Sequence, residues 1–300
     1  MRRFYFIAAL CAALIVGAVF VLALPRAFEA SYEALLADGA SSTKAGIAVS
    51  KNNLNVDIEP QKPLENPPKI VNAIYFTSWA AGTKSFVDYA IDLAANTEIN
   101  AVVIDVKDYS GLIAYDTGVE AVNRYKTKEV RIPKLNALIK KLHDANVYVI
   151  ARISVFQDPA LASARPDLAV QSISAASSTR DARKWAWHDK KNLAWTDPVS
   201  REAWDYNIAI AKDVAARGFD ELNFDYIRFP SDGNLEDMRF PFWDETRPQS
   251  LVIRDFFAYL RSELKGIKIS ADLFGLTTIE KSDMGIGQVI ENAYPYFDFV

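Results

Sequence analysis

The chain has 300 residues, with 34 Lys and Arg against 38 Asp and Glu and a net charge of −4; with no long basic run, this argues against a nucleic-acid partner. Its two histidines, His143 and His188, lie far apart without ligand spacing, and its single cysteine, Cys11, falls in the apolar N-terminal segment. A His-built zinc hydrolase, a catalytic thiol in the folded part and a disulfide framework are therefore excluded; no metal or organic cofactor is implied, and carboxylates remain for chemistry.

Met1-Arg-Arg3 precedes an uncharged run from Phe4 to Leu24, long enough to cross a bilayer as a helix at about 1.5 Å per residue. With Arg2 and Arg3 on the cytoplasmic side, residues 1–26 are expected to be a membrane anchor, with the rest of the chain extracytoplasmic. The rival reading is a cleaved signal peptide and a secreted product. Against it, the apolar run exceeds the usual core of about 7–15 residues, and Val21-Leu-Ala23 is a weak cleavage site. Residues 27–68 hold few large apolar side chains and the prolines Pro60, Pro63, Pro67 and Pro68; this composition predicts a flexible, semi-extended linker.

From Lys69 the pattern alternates between strands and helices. Strands are predicted over 70–77, 99–106, 147–155, 219–227 and 267–274, with helices over 84–96, 132–145, 199–217, 250–264 and 286–293. Phe297-Asp-Phe-Val300 reads as the start of a sixth strand. This alternation predicts α/β architecture with a parallel sheet, doubly wound or closed as a (β/α)8 barrel. Two features favour the barrel. Ser78-Trp-Ala-Ala-Gly82 after the first strand lacks the glycine pattern of a dinucleotide turn. Polar residues also occupy one parity inside several strands, whereas a sheet covered on both faces is apolar throughout. With five strands and part of a sixth over 69–300, the barrel is expected to be incomplete here.

Gly218-Phe-Asp-Glu-Leu-Asn-Phe-Asp-Tyr-Ile-Arg-Phe-Pro230 shows the parity clearly. Side chains alternate along a strand, so Leu222 and Phe224 face one way while Asn223 and Asp225 face the other. The same rule sets Asp105 on one face of the second strand, Arg152 and Ser154 on one face of the third, and Ser270 and Asp272 on one face of the fifth. Each charge falls in the C-terminal half of its strand, so Asp105, Arg152, Asp225 and Asp272 are expected at one mouth. Three acids with one base suit glycosidic hydrolysis, in which one carboxyl protonates the leaving oxygen and another attacks or activates water. Asp225 is the expected nucleophile or stabiliser, Asp272 the acid/base candidate and Asp105 a further catalytic candidate. Arg152, Asn223 and Arg228 are candidates for binding substrate. A barrel-mouth ion-pair cluster without substrate is the structural alternative.

Trp79, Trp185, Trp187, Trp195 and Trp243 fall in loops or at strand ends on the expected catalytic side; only Trp204 falls in a helix. Flat rings suit the apolar faces of sugars, which makes Trp79, Trp195 and Trp243, with Tyr109 and Tyr226, candidates for a polysaccharide or oligosaccharide partner.

Five motifs taken together resemble a bacterial family of glycosyl hydrolase domains: Val103-Ile-Asp-Val-Lys-Asp108, Ala151-Arg-Ile-Ser-Val-Phe-Gln-Asp-Pro159, Trp195-Thr-Asp-Pro198, Asn223-Phe-Asp-Tyr-Ile-Arg-Phe-Pro230 and Ala271-Asp-Leu-Phe-Gly275. The resemblance covers Lys69 to Val300 and implies a (β/α)8 barrel distantly akin to the α-amylase-like glycosidases. Those enzymes carry a nucleophilic Asp at the end of the fourth strand and a Glu on the fifth. Asp225 matches the first position, whereas Asp272 stands where Glu would be. The resulting expectation is a glycoside hydrolase acting on a cell-envelope or extracellular polysaccharide. The alternative is a non-catalytic carbohydrate-binding or scaffolding barrel.

Overall fold

A computed structural model of the chain describes residues 56–300; the expected membrane anchor and the linker up to residue 55 lie outside the described residues. No described helix is long and apolar enough to cross a membrane. The first part runs β1 (Ala73–Phe76), α1 (Ser78–Ala81), α2 (Lys84–Asn96), β2 (Ala101–Lys107), β3 (Ile113–Tyr115), α3 (Glu120–Tyr125), β4 (Lys128–Ile132), α4 (Leu135–Asp144) and β5 (Tyr148–Ser154). The second part runs α5 (Pro159–Ala164), β6 (Gln171–Ser172), α6 (Ile173–Ser178), α7 (Arg201–Ala216), β7 (Glu221–Asp225), β8 (Met238–Arg239), α8 (Gln249–Glu263), β9 (Ile269–Ala271) and α9 (Ile290–Ala293).

Strands β1, β2, β5, β7 and β9 pair side by side in that order, all parallel. Ser270 then bridges Phe299, again in parallel, where a sixth strand is expected. Each of these strands lies beside its predecessor, with no reversal of order of the kind that defines a doubly wound sheet. The outer parity is apolar and buried: Val102 and Ile104, Val149, Ala151 and Ile153, Leu222 and Phe224, Ile269 and Ala271. Helices cover it with matching stripes. Leu135, Leu138, Ile139 and Leu142 of α4 recur at three- and four-residue spacing and are buried, as helical periodicity requires. Phe256 and Phe257 of α8 are fully buried, and Phe256 lies 5.0 Å from the Phe156 ring and 5.3 Å from Trp204. Each such side chain contributes about 1.5–3 kcal/mol through its removal from water.

Two parts of this architecture differ from the sequence expectation. Residues between β2 and α4, to which the sequence pattern gives no element before the helix expected from 132, form β3, α3 and β4, and β3 turns back antiparallel onto Lys107. These strands are short, and β4 (Lys-Glu-Val-Arg-Ile) carries three charges in five residues, so no apolar alternation marks it. The described end of the expected linker, residues 56–68, has no regular structure but is bonded to the domain. Asp57 accepts from the backbone N–H groups of Asn136 (2.7 Å) and Ala137 (3.1 Å), and Gln61 N–H donates to Arg217 O (3.0 Å). Leu64 N–H donates to Asp220 (2.6 Å). Asp57 thereby caps α4, whose own N-cap Lys134 provides no side-chain bond.

Long loops follow β5 and β7, and polar pairs join them. Asp197 accepts from the N–H groups of Val199 (2.9 Å) and Phe242 (2.8 Å), while β6 pairs antiparallel with β8. Asp189 accepts from the N–H groups of Lys191 and Leu193 (2.9 Å each) and from Trp195 Nε1 (3.1 Å).

Candidate active site

The inner parity of the parallel strands carries the polar residues. In register, Asp105 stands opposite Arg152, Arg152 opposite Asn223, and Ser154 opposite Asp225. Asn223 stands opposite Ser270, and the Asp272 N–H bonds to Phe224 O (2.9 Å), which sets Asp272 beside the end of β7. The register of β2 slips between Asp105 and Lys107. Asp105 precedes the slip and keeps its inward direction. Lys107, beyond it, is fully buried against Asp158 (2.8 Å) and Ser154 O (2.5 Å); it is a structural ion pair behind the site.

Arg152 organises the centre. Its Nη1 donates to Asp105 Oδ1 at 2.7 Å, its Nη2 donates to Asp225 Oδ2, and its Nε lies 3.7 Å from Asp272 Oδ2. One guanidinium thus touches all three expected carboxyls. Sharing it brings the Asp225 and Asp272 carboxyls to the same rim. Asp225 also accepts from the Tyr226 N–H (2.6 Å), and Tyr226 is held at φ 54°, a left-handed conformation that is costly for a bulky residue. Asn223 Nδ2 donates to Asp272 Oδ1 (3.1 Å) and to Ser270 Oγ (3.2 Å).

The environments of the acids differ. Asp105 is nearly enclosed, with 4 % of its side chain exposed, Asp225 keeps 22 % and Asp272 51 %. Burial pushes the Asp272 carboxyl above the ordinary aspartate value; the nearby Asp225 charge acts in the same direction, while the Asn223 hydrogen bond and Arg152 oppose both. Burial also raises Asp105, against the attraction of Arg152 and the hydrogen bond from Tyr75.

Tyr75 is the inward residue that the sequence reading passed over. Its hydroxyl donates to Asp105 Oδ2, its ring lies 5.7 Å from the Arg152 guanidinium carbon, and half of its surface is exposed. The signal was available: Tyr75 is a large polar-tipped residue on a strand of otherwise apolar character, one pairing step from β2.

The aromatic candidates divide. Trp79 and Tyr109 are exposed at 61 % and 56 %, and Trp79 faces the Arg131 guanidinium at 5.1 Å. Trp195 is fully buried, with its indole N–H on Asp189, so the expectation that it offers a face to a sugar is corrected. Trp187 is likewise buried, bonded to Asn234 O (2.8 Å). Trp243 packs on Phe229 (5.1 Å) and Phe240 (5.3 Å), and Tyr226 stands edge-on to Trp195 at 5.9 Å. Arg228 does not pair with Asp225; its guanidinium lies over Trp195.

Among the described residues no group of three or more His, Cys, Asp or Glu is arranged to hold a metal ion. A cavity of about 570 Å³ lies at the opposite, N-terminal end of the strands, lined by Pro67, Pro68, Glu221, Lys268 and Phe299. The cavity is separate from Asp105, Arg152, Asp225 and Asp272, none of which lines it.

No curated protein matches the chain. A crystal structure of a hypothetical protein from Ruminiclostridium thermocellum ATCC 27405 is 37 % identical, covering 67 % of this chain and 98 % of that one, with a TM-score of 0.60. An α-galactosidase from Thermus thermophilus in complex with stachyose is 14 % identical over 71 % of this chain and 41 % of its own, with a TM-score of 0.41. The α-L-fucosidase isoenzyme 2 from Paenibacillus thiaminolyticus is 12 % identical over 71 % and 32 %, with a TM-score of 0.44. Residues 73–300 match the family described as "putative glycosyl hydrolase domain", and the chain belongs to that family.

Proposed function

We propose that the domain hydrolyses glycosidic bonds of a cell-envelope or extracellular polysaccharide, with Asp225 and Asp272 as the working carboxyls. The observation that carries this reading is the single guanidinium of Arg152 in contact with Asp105, Asp225 and Asp272 at the C-terminal ends of neighbouring parallel strands. The sequential strand order and inward polar parity support an arc of a (β/α)8 barrel, with the acids at its catalytic mouth.

In this reading Asp225 presents a carboxylate fixed by two donors, Arg152 Nη2 and the Tyr226 N–H. It attacks the anomeric carbon, or directs a water onto it, as the glycosidic bond breaks. Asp272, raised by burial and by the Asp225 charge, gives its proton to the leaving oxygen, so the departing sugar leaves as a neutral alcohol. Asp105 and Tyr75 set the angle of Arg152 and act as positioning residues. Trp79 and Tyr109 offer exposed faces for flanking sugars. The extracytoplasmic location of the substrate rests on the apolar run from Phe4 to Leu24 behind Arg2 and Arg3.

The same Arg152 cluster also fits a second reading, a non-catalytic carbohydrate-binding barrel in which it is a purely structural ion cluster. Release of new reducing ends separates the two readings. The hydrolase releases them and loses that release in Asp225→Asn and Asp272→Asn; a binding barrel takes up the same saccharides in all three forms and cleaves none.

A further inference from the structure

Arg228 lies just past β7 and is only partly exposed. Three rings enclose its guanidinium: Trp195 at 4.8 Å, Tyr226 at 5.6 Å and Phe274 at 5.6 Å. Two of these rings belong to the loops that continue from Asp225 and Asp272, so the group stands at the same mouth. Its Nη1 donates to Phe229 O (3.1 Å) and to Ser231 Oγ (3.0 Å), both neutral acceptors. Among the described residues no carboxylate comes within ion-pair distance, although Asp225, Asp189 and Asp232 act on its charge from farther away. Burial lowers this guanidinium from the ordinary arginine value, the mark of a charge whose hydration has been replaced by rings rather than by a counter-ion. Arg131, Arg165 and Arg217 are, by contrast, each paired with an acid.

The unused donors are informative. Nε and Nη2 have no acceptor among the described residues, and neither is sealed from solvent. In a guanidinium these two N–H groups form the side-on fork that matches both oxygens of a carboxylate. The rings crowd the guanidinium, Nη1 anchors one corner, and the fork keeps no partner among the described residues.

We propose that Arg228 is the carboxylate-binding subsite for an acidic sugar, so that the polysaccharide is built of, or contains, uronic acid residues. The inference rests on the reading of the Asp225–Asp272 mouth as a sugar site and names its substrate class. Trp195 has a role in it after all, as the buried floor under the guanidinium.

The test measures binding to the full chain by tryptophan fluorescence, independently of turnover. The ligands are oligosaccharides of galacturonate, glucuronate and mannuronate, each beside its carboxyl-reduced counterpart. At least one uronate is expected to bind, with affinity falling tenfold or more on carboxyl reduction. Arg228→Gln should remove that preference, and Arg228→Lys, which keeps the charge but loses the fork, should recover only part of it. Thermal midpoints within a few degrees of the parent show that the variants are folded. Equal affinity for acidic and reduced forms, a preference unchanged in Arg228→Gln, no uronate binding, or preference for a sulfated neutral saccharide would each overturn the proposal. Arg228-dependent uronate binding without cleavage would sink the hydrolase reading alone. Cleavage restricted to neutral saccharides would sink the Arg228 proposal alone.

Discussion

Arg152 stands opposite Asn223 in the β5–β7 register, yet its guanidinium bonds Asp225, two residues farther along the neighbouring strand. The side chain reaches diagonally up the inner face, leaving Asn223 free to serve Asp272. One cation therefore offsets part of the charge of carboxyls delivered by three strands. Arg152→Met leaves them facing one another without compensation, which costs about 3–5 kcal/mol where such a pair is buried and less here in proportion to the exposed Asp272. Urea unfolding should show the loss at neutral pH. The deficit should shrink in acid, because protonation of the three carboxyls relieves their repulsion.

The pH dependence has a definite sign. The folded state holds protons on Asp105 and Asp272 to higher pH than the unfolded chain does, so each takes stability away as pH rises above the ordinary aspartate value of about 3.9. In the proposed mechanism Asp272 serves as an acid only while protonated, so the rate should fall along an alkaline limb. Asn223→Ala removes a hydrogen bond that favours the charged form of Asp272, and should move that limb to higher pH. A limb unmoved in a profile of kcat against pH would separate Asp272 from the proton transfer.

Trp79 and Trp195 should respond in opposite ways. Trp79→Ala removes an exposed ring and should leave stability within about 0.5 kcal/mol, while raising KM several-fold at little change in kcat. Trp195→Ala empties a fully buried site and should cost about 3–5 kcal/mol. Thermal unfolding beside saturation kinetics reads both.

Asp57 ties the segment before the first strand to α4. Asp57→Ala should cost about 1 kcal/mol as the lost cap and expose residues 56–68 to limited proteolysis without changing turnover. An unchanged cleavage pattern would mean that the segment is held by its other bonds to Arg217 and Asp220.

The parallel strands and the convergence of Asp105, Arg152, Asn223, Asp225 and Asp272 were legible because period-two alternation on buried strands is a strong signal. Asp225 and Asp272 needed only Leu222, Phe224, Ile269 and Ala271 to show which face was apolar. Other features had no local signature. The strand Lys128–Ile132 is charged and short, and its pairing depends on β3 rather than on its own pattern. Asp57 caps a helix that begins 78 residues later, a relationship that composition cannot express; the prolines around it suggested only an extended chain. Tryptophan content indicated aromatic loops but not which rings lie under others: Trp187 is buried with its N–H on Asn234 O of a distant loop, and Trp195 with its N–H on Asp189 of its own loop.

The central claim is tested most directly by the reducing ends that the parent chain and Asp225→Asn release from a panel of polysaccharides, with unfolding followed in the same samples. Asn keeps the shape of the side chain and one acceptor oxygen, so it retains the bond from either Arg152 Nη2 or the Tyr226 N–H, which use different oxygens of Asp225, but not the attacking charge. The account predicts release by the parent, a loss of at least about a thousandfold in the variant (roughly 4 kcal/mol of barrier), and a thermal midpoint within a few degrees. Release undiminished in Asp225→Asn would contradict it.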